Sequence, residues 1–173
     1  MPNTQSTTTN SITIADLLSD DVLLGKMVRT NGWIKSVRTS KAGFSFIHLN
    51  DGSCLTNLQI VVEQDLPNYI TEICELTTGC SIQVEGMVVE SQGKSQDIEV
   101  KAIKVKVAGW VKDPESYPIS KKQHSLEYLR SMAHLRIRTN TFGAISNIAI
   151  SSGATSSCTK SHSFILMMNS YKV

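Results

Sequence analysis

Three side chains that could stack on nucleic-acid bases recur at alternate positions in one short segment. Phe44, Phe46 and His48 share one face if this segment is a strand, because side chains alternate along a strand. Flat surfaces of this kind bind unpaired bases, each contributing about 1–3 kcal/mol. Gln59, in the next apolar segment, carries an amide that can both donate to and accept from a base edge. The pattern predicts stacking and reading of single-stranded bases.

Basic residues cluster around the same segment. Residues 22–50 contain five basic residues and no acidic one, namely Lys26, Arg29, Lys35, Arg38 and Lys41. We expect Arg29, Lys35 and Arg38 to meet phosphates or a base, and Lys41, in the following turn, to reach the nucleic-acid backbone. Charge alone is equally compatible with a solvated face of no function.

Each of these residues also has an ordinary structural interpretation. A phenylalanine in a barrel strand usually lies in the core, an isolated His48 is usually structural, and Gln59 alone is an ordinary surface residue. In a regular strand, however, the face with Phe44 and Phe46 is opposite the face with Ile47 and Leu49. Because aliphatic side chains usually face inward, we expect the aromatic face to be outward.

Composition and motifs exclude several other kinds of protein. The 173 residues carry a net charge of +2 and are 40% hydrophobic, and no apolar run approaches the roughly 20 residues of a membrane span. The first ten residues are polar, unlike a signal peptide. The four cysteines form neither a Cys-x-x-Cys pair nor a disulfide-dense framework, which favours a reducing cytoplasm.

Known catalytic and metal-binding patterns are also missing. We find no His-Glu-x-x-His, Walker loop, Gly-x-Ser-x-Gly or Gly-x-Gly-x-x-Gly, and the four histidines lack metal-site spacing. We therefore expect no catalytic residue, no metal and no cofactor in this chain.

The elements that must position the candidate residues form a mainly β pattern. Alternation predicts strands at about residues 27–38, 44–49, 55–62, 81–90 and 96–107, and a helical spacing predicts a helix at about 69–76. Gly32 and Gly86 predict bends, and the change of phase after Ala102 predicts a bulge. This order predicts a five-stranded OB-fold Greek-key barrel with a helix between strands 3 and 4. An SH3-like barrel is the alternative.

The pattern divides the chain into four parts. We expect a lead-in at 1–24, the barrel at 25–110, a stiff hinge linker at 111–123 and an incomplete helical start of a second domain at 124–173. Residues 120–123 resemble a capping box, and the Ser/Thr-rich residues 147–173 are expected to be poorly ordered.

Seven segments carry a family pattern. In the barrel they are VRTNGWI (28–34), VR (37–38), FIHLNDG (46–52) and LQIV (58–61). These resemble the anticodon-binding barrel of class IIb aminoacyl-tRNA synthetases, which handle aspartate, asparagine and lysine. Further on, LEYLR (126–130), AHLR (133–136) and RTNTFGA (138–144) resemble the opening of the catalytic domain in the asparaginyl members.

The resemblance, which covers about residues 12–146, implies roles for matched positions. Phe46 matches the aromatic residue on which the central anticodon base stacks, Gln59 the residue that reads this uridine, and Arg38 a contact to the anticodon loop. Phe44 and His48 gain less support. The implied partner is a tRNA, tRNA(Asn) in particular, and a homodimer is implied only with a complete catalytic domain.

The resemblance ends before the catalytic motifs. Ile137 replaces a proline usual in the family, and the proline of motif 1 and the arginines of motifs 2 and 3 are missing. The ATP and Mg²⁺ of a complete member are therefore not expected here, and we expect this chain alone not to activate asparagine. A truncated gene, a frameshift and a degenerate copy remain open explanations. A general single-strand-binding protein and a non-functional fragment are the alternative functions.

Overall fold

Five strands close into a barrel in the order β1-β2-β3-β5-β4, which confirms the predicted OB-fold. The computed structural model describes residues 11–19, 23–40, 43–91, 93, 96–119 and 124–151. Its strands are β1 (Met27–Ser40), β2 (Phe44–Asn50), β3 (Leu58–Glu63), β4 (Ser81–Glu90) and β5 (Ile98–Gly109). Four of the pairings are antiparallel, and β3 with β5 is parallel.

Alternation along β2 and β3 fills the barrel with aliphatic side chains. Ile47 and Leu49 are 0% exposed, as are Leu58 and Ile60 on the neighbouring strand. Burial of these side chains is the main force that closes the sheet, at about 1.5–3 kcal/mol each. The prediction that Phe44 and Phe46 face outward is thereby confirmed.

The register of the sheet shifts at three places, one of them between Ser81 and Ile82, and the sequence located one of the three. The register between β4 and β5 shifts at Gly86, where Ile103 is the extra residue, as the change of phase predicted. A Cβ at Gly86 would lie 2.3 Å from a backbone oxygen of β5. The register does not shift at Gly32, where we predicted a bulge or bend; β1 shifts register between Ile34 and Ser36 instead. The lack of a side chain at Gly32 allows close approach to β2.

The helix predicted at residues 69–76 is also wrong, since the segment forms turns and one 3₁₀ turn at Ile73–Glu75. The turn that precedes this segment contacts β5, where the side-chain amide of Asn68 donates to the Val105 carbonyl at 2.9 Å. The Asn68 carbonyl accepts from the amides of two successive residues, which is incompatible with a regular helix. Ile73 is nevertheless 0% exposed and covers one end of the barrel core.

Short helices flank the barrel. Before it, α1 (Ile14–Ser19) begins at Thr13, whose hydroxyl accepts from the Asp16 amide at 3.2 Å. After it come α2 (Leu126–Ser131), a 3₁₀ turn at Arg136–Arg138 and α3 (Asn140–Ser151). The N-cap of α2 is Ser125, whereas the predicted capping box at 120–123 and residues 152–173 lie outside the described residues. No helix in the described ranges has the length and apolarity that a bilayer span requires.

Candidate nucleic-acid interface

Side chains of β1, β2, β3 and β5 form two adjacent rows across the sheet, and all of them are at least partly exposed except Ser36, which is buried. The aromatic row consists of Arg38, Phe46, Val61 and Lys101, which are cross-strand partners in that order. The polar row consists of Ser36, His48, Gln59 and Glu99, of which Ser36 pairs with His48 and His48 with Gln59. We call these two rows together the outer face. It is the surface on which OB-fold domains bind oligonucleotides.

Phe46 lies at the centre of the outer face with its ring partly exposed. Phe44 packs against it edge to face, with ring centroids 5.1 Å apart and an interplanar angle of 82°. Such a pair contributes about 0.5–1.5 kcal/mol beyond its buried area and holds the ring in place. Gln59 is the diagonal neighbour of Phe46, which places the two side chains about 7–8 Å apart. A base stacked on the ring would therefore present its edge to the amide.

The polar row is connected by hydrogen bonds from end to end. The Ser36 hydroxyl lies 3.2 Å from His48 Nδ1, and His48 Nε2 lies 3.4 Å from Gln59 Oε1. Gln59 Nε2 donates to Glu99 Oε2 at 2.8 Å, and Ser91 donates to the same oxygen at 3.3 Å. Gln59 keeps one N–H and one oxygen lone pair unused among the described residues.

Arg38 is the exposed cation at the border of this surface. It pairs across the sheet with Phe46, and its side chain has no hydrogen-bond or ion-pair partner in the described part of the chain. Lys101 lies at the opposite border, where its Nζ is 2.7 Å from Glu63. This ion pair is exposed and contributes about 0–1 kcal/mol, so a phosphate could compete for Lys101.

The other basic residues predicted to contact phosphates do not lie free on the outer face among the described residues. Arg29 lies on the part of β1 that pairs with β4, and its guanidinium binds Glu85 Oε1 at 2.5 and 2.9 Å. Lys41 lies outside the described residues. The structure therefore brings Arg38, Phe44, Phe46, His48 and Gln59 together, and places Arg29 elsewhere.

Lys35 lies where the barrel meets the segment that follows it. Its Nζ donates to the Arg138 carbonyl, and the Arg138 guanidinium lies 4.9 Å from the centre of the Trp33 ring. Arg138 also donates to the Tyr117 hydroxyl at 2.9 Å. We call Trp33, Lys35, Tyr117 and Arg138 the joint. Burial lowers the pKa of the Lys35 ammonium below its ordinary value, and the charge of Arg138 lowers it further.

Three residues of the outer face were not predicted from the sequence, namely Ser36, Glu99 and Lys101. Alternation along β5 would place Glu99 and Lys101 on one face, which is a signal that the sequence contains. The position of that face beside Gln59 depends on the parallel pairing of β3 with β5. Local pattern does not reveal such a pairing between distant strands.

Comparison with known proteins finds relatives for most of the chain. The profile of a family described as "OB-fold nucleic acid binding domain" matches residues 28–108. An asparagine–tRNA ligase of Buchnera aphidicola is 48% identical over 139 residues, which are 80% of this chain and 30% of that protein. One from Idiomarina loihiensis is 51% identical over 135 residues. The chain thus spans about 30% of the length of the curated relatives that it matches.

Solved structures show the same similarity. Asparaginyl-tRNA synthetase from Pyrococcus horikoshii superimposes with a TM-score of 0.63 at 25% identity, over 75% of this chain and 30% of that one. An aspartyl-tRNA synthetase from Entamoeba histolytica superimposes with a TM-score of 0.65 at 17% identity, over 86% of this chain and 37% of the synthetase chain. This second likeness supports the fold alone.

Proposed function

We propose that the outer face of residues 28–108 binds the anticodon loop of tRNA(Asn). These residues belong to the family of OB-fold nucleic acid binding domains, in the form found in the N-terminal part of asparagine–tRNA ligases. The observation that carries the proposal is the placement of Arg38, Phe46 and Gln59 on one exposed surface. These residues offer a cation, a stacking platform and a base-reading amide. Unpaired RNA bases are recognised by this combination of groups.

In the proposed complex, each residue has one task. The central anticodon uridine stacks on the Phe46 ring, and the unused N–H and lone pair of Gln59 meet its edge. Arg38 neutralises a phosphate of the loop, with Lys101 available on the far side if its ion pair with Glu63 opens. His48 and Glu99 hydrogen-bond the two ends of the Gln59 amide.

The attachment of asparagine to tRNA would be carried out by a complete ligase. We infer that this chain contributes tRNA recognition to the attachment of asparagine, which the names of its relatives describe. The described residues contain no group of three or more potential metal ligands, and the sequence lacks the motif arginines.

A binding titration of the full 173-residue chain tests the proposal. An RNA stem-loop with anticodon GUU is compared, at one fixed and modest salt concentration, with the same stem-loop changed only at the central uridine. Preference for uridine supports anticodon reading. Equal binding would indicate a general single-strand-binding protein instead, and no binding to either would indicate a fragment without this function.

A further inference from the structure

Three lysines follow one another along the outside of β5. Lys101, Lys104 and Lys106 are all exposed, and the first of them ends the aromatic row of the outer face. The other two lie beyond that row, where β5 pairs with β4 instead of β3. We call these three residues the lysine stripe, and we propose that it binds successive phosphates of the RNA strand that leaves the outer face. This inference rests on the proposed function but involves no reading of bases.

The lysine stripe exists because of the bulge in β5. In a regular strand side chains alternate between the two sides, so Lys101 and Lys104 would face opposite sides of the sheet. The register shift inserts Ile103 as an extra residue, after which Lys104 and Lys106 are exposed and Val105 is buried. The bulge therefore brings Lys104 and Lys106 to the side of the sheet that Lys101 already occupies.

The spacing along the lysine stripe fits a nucleic-acid backbone. A strand rises about 3.3 Å per residue, which puts the Cα atoms of Lys104 and Lys106 about 6–7 Å apart. This distance is close to the separation of successive phosphates in an RNA strand. The flexible four-carbon stems of the lysines can take up the remaining difference. The lysine stripe thus offers cations at the intervals at which an RNA strand carries its charges.

Neighbouring carboxylates do not neutralise the two lysines beyond the aromatic row. Glu85 is the cross-strand partner of Lys104, but its Oε1 accepts from two nitrogens of the Arg29 guanidinium. Gln83, the cross-strand partner of Lys106, is uncharged. Neither lysine side chain has a hydrogen-bond or ion-pair partner in the part of the chain that the structure describes. Their charges are therefore available to neutralise phosphates.

Lys101 connects the lysine stripe to the outer face. Its Nζ lies 2.7 Å from Glu63, and the two side chains are 47% and 45% exposed. Such an exposed ion pair is weak, so a phosphate can displace the carboxylate. An RNA strand that crosses the outer face from Arg38 to Lys101 and turns along β5 then meets Lys104 and Lys106. Contacts to phosphates position a nucleic acid without distinguishing its bases.

The test measures the affinity of the full 173-residue chain for a stem-loop with a GUU anticodon over a range of salt concentrations. The variants are Lys104→Gln, Lys106→Gln and the double variant, and each change removes one positive charge. Lys112→Gln, at an exposed position after β5, removes the same charge and is the matched control. We expect each single variant to lower the slope of log affinity against log salt by about 0.7, and the double variant by about twice as much. The control should keep the wild-type slope.

Two further readouts accompany the slope. Loss of a phosphate contact weakens binding to all sequences equally, so the ratio of affinities for GUU and GCU stem-loops should keep its wild-type value in every variant. Acetylation of lysines followed by mass spectrometry examines the unaltered chain. Bound RNA should protect Lys104 and Lys106 from acetylation and leave Lys112 reactive.

The outcomes separate this inference from the proposed function. A wild-type slope in the folded double variant, or an equal decrease in the Lys112 control, overturns the lysine stripe alone. If the wild-type chain has no preference for uridine while the variants lower the slope, the proposed function fails and the lysine stripe stands as a general RNA contact. Absence of RNA binding by the wild-type chain overturns both. Circular dichroism checks folding, and the protection experiment, which needs no variant, decides if the double variant does not fold.

Discussion

Replacing Phe46 with leucine separates its contribution to binding from its contribution to stability. The change removes the flat π face but keeps most of the apolar volume. The ring is partly exposed and contacts Phe44 at 5.1 Å, so a volume-conserving change should cost less than about 1.5 kcal/mol of unfolding free energy. The matched control is Ile47→Val on the other face of β2. Ile47 is 0% exposed, and this change should cost about 0.5–1.5 kcal/mol.

The two variants should therefore have similar stability and different affinity for RNA. Stacking on an aromatic side chain contributes about 1–3 kcal/mol per base, and leucine keeps part of the apolar contact. We expect Phe46→Leu to lose about 1–2 kcal/mol of binding, a rise of about 5- to 30-fold in Kd. Ile47→Val should bind like the wild type, because its side chain faces the core.

Urea denaturation measures the stability of both variants, and fluorescence anisotropy with a labelled GUU stem-loop measures their affinity. Equal affinities for the two variants would show that Phe46 does not stack on a base. A loss of stability in Phe46→Leu well above that of Ile47→Val would show that the ring belongs to the core, as its ordinary interpretation holds.

Three further predictions concern the bend, the cations and the thiols. Gly86→Ala should lower the unfolding free energy by about 1–3 kcal/mol in urea denaturation, since its Cβ would lie 2.3 Å from a backbone oxygen; an unchanged midpoint contradicts this. Arg38→Ala should reduce the slope of log affinity against log salt by about 0.7, whereas Lys35→Ala should not, because Lys35 is engaged in the joint; equal changes would place both cations on phosphates. Burial raises the pKa of the Cys54 thiol, so its alkylation followed by mass spectrometry should be slower than that of exposed Cys74 and should accelerate only at higher pH; equal rates at neutral pH would refute this.

Local pattern accounts for the strands and for the direction of their side chains. Two-residue alternation was enough to place Phe46 and Ile47 on opposite faces of β2, and aliphatic side chains of a barrel strand usually face inward. The bulge in β5 was visible as a change of phase after Ala102. The resemblance of short segments to one family then selected Phe46, Gln59 and Arg38 among the outward residues.

The local sequence pattern did not predict contacts between segments that are distant along the chain. The segment predicted as a helix at 69–76 forms turns instead, and the side chain of its neighbour Asn68 donates to a carbonyl of β5. Lys35, read as a phosphate contact, is bound by a carbonyl 103 positions away along the chain. Neither partner is adjacent in sequence, so neither contact has a local signal.

The sequence by itself determined the barrel and the residues that could meet a base, because burial of alternating apolar side chains depends on spacing along each strand. The tertiary structure alone decided how those residues are held. Closure of the barrel pairs β3 with β5 in parallel and brings Glu99 to Gln59, although 40 positions separate them. An amide has two nearly equivalent orientations, and only neighbours contributed by other strands can make one of them lower in free energy.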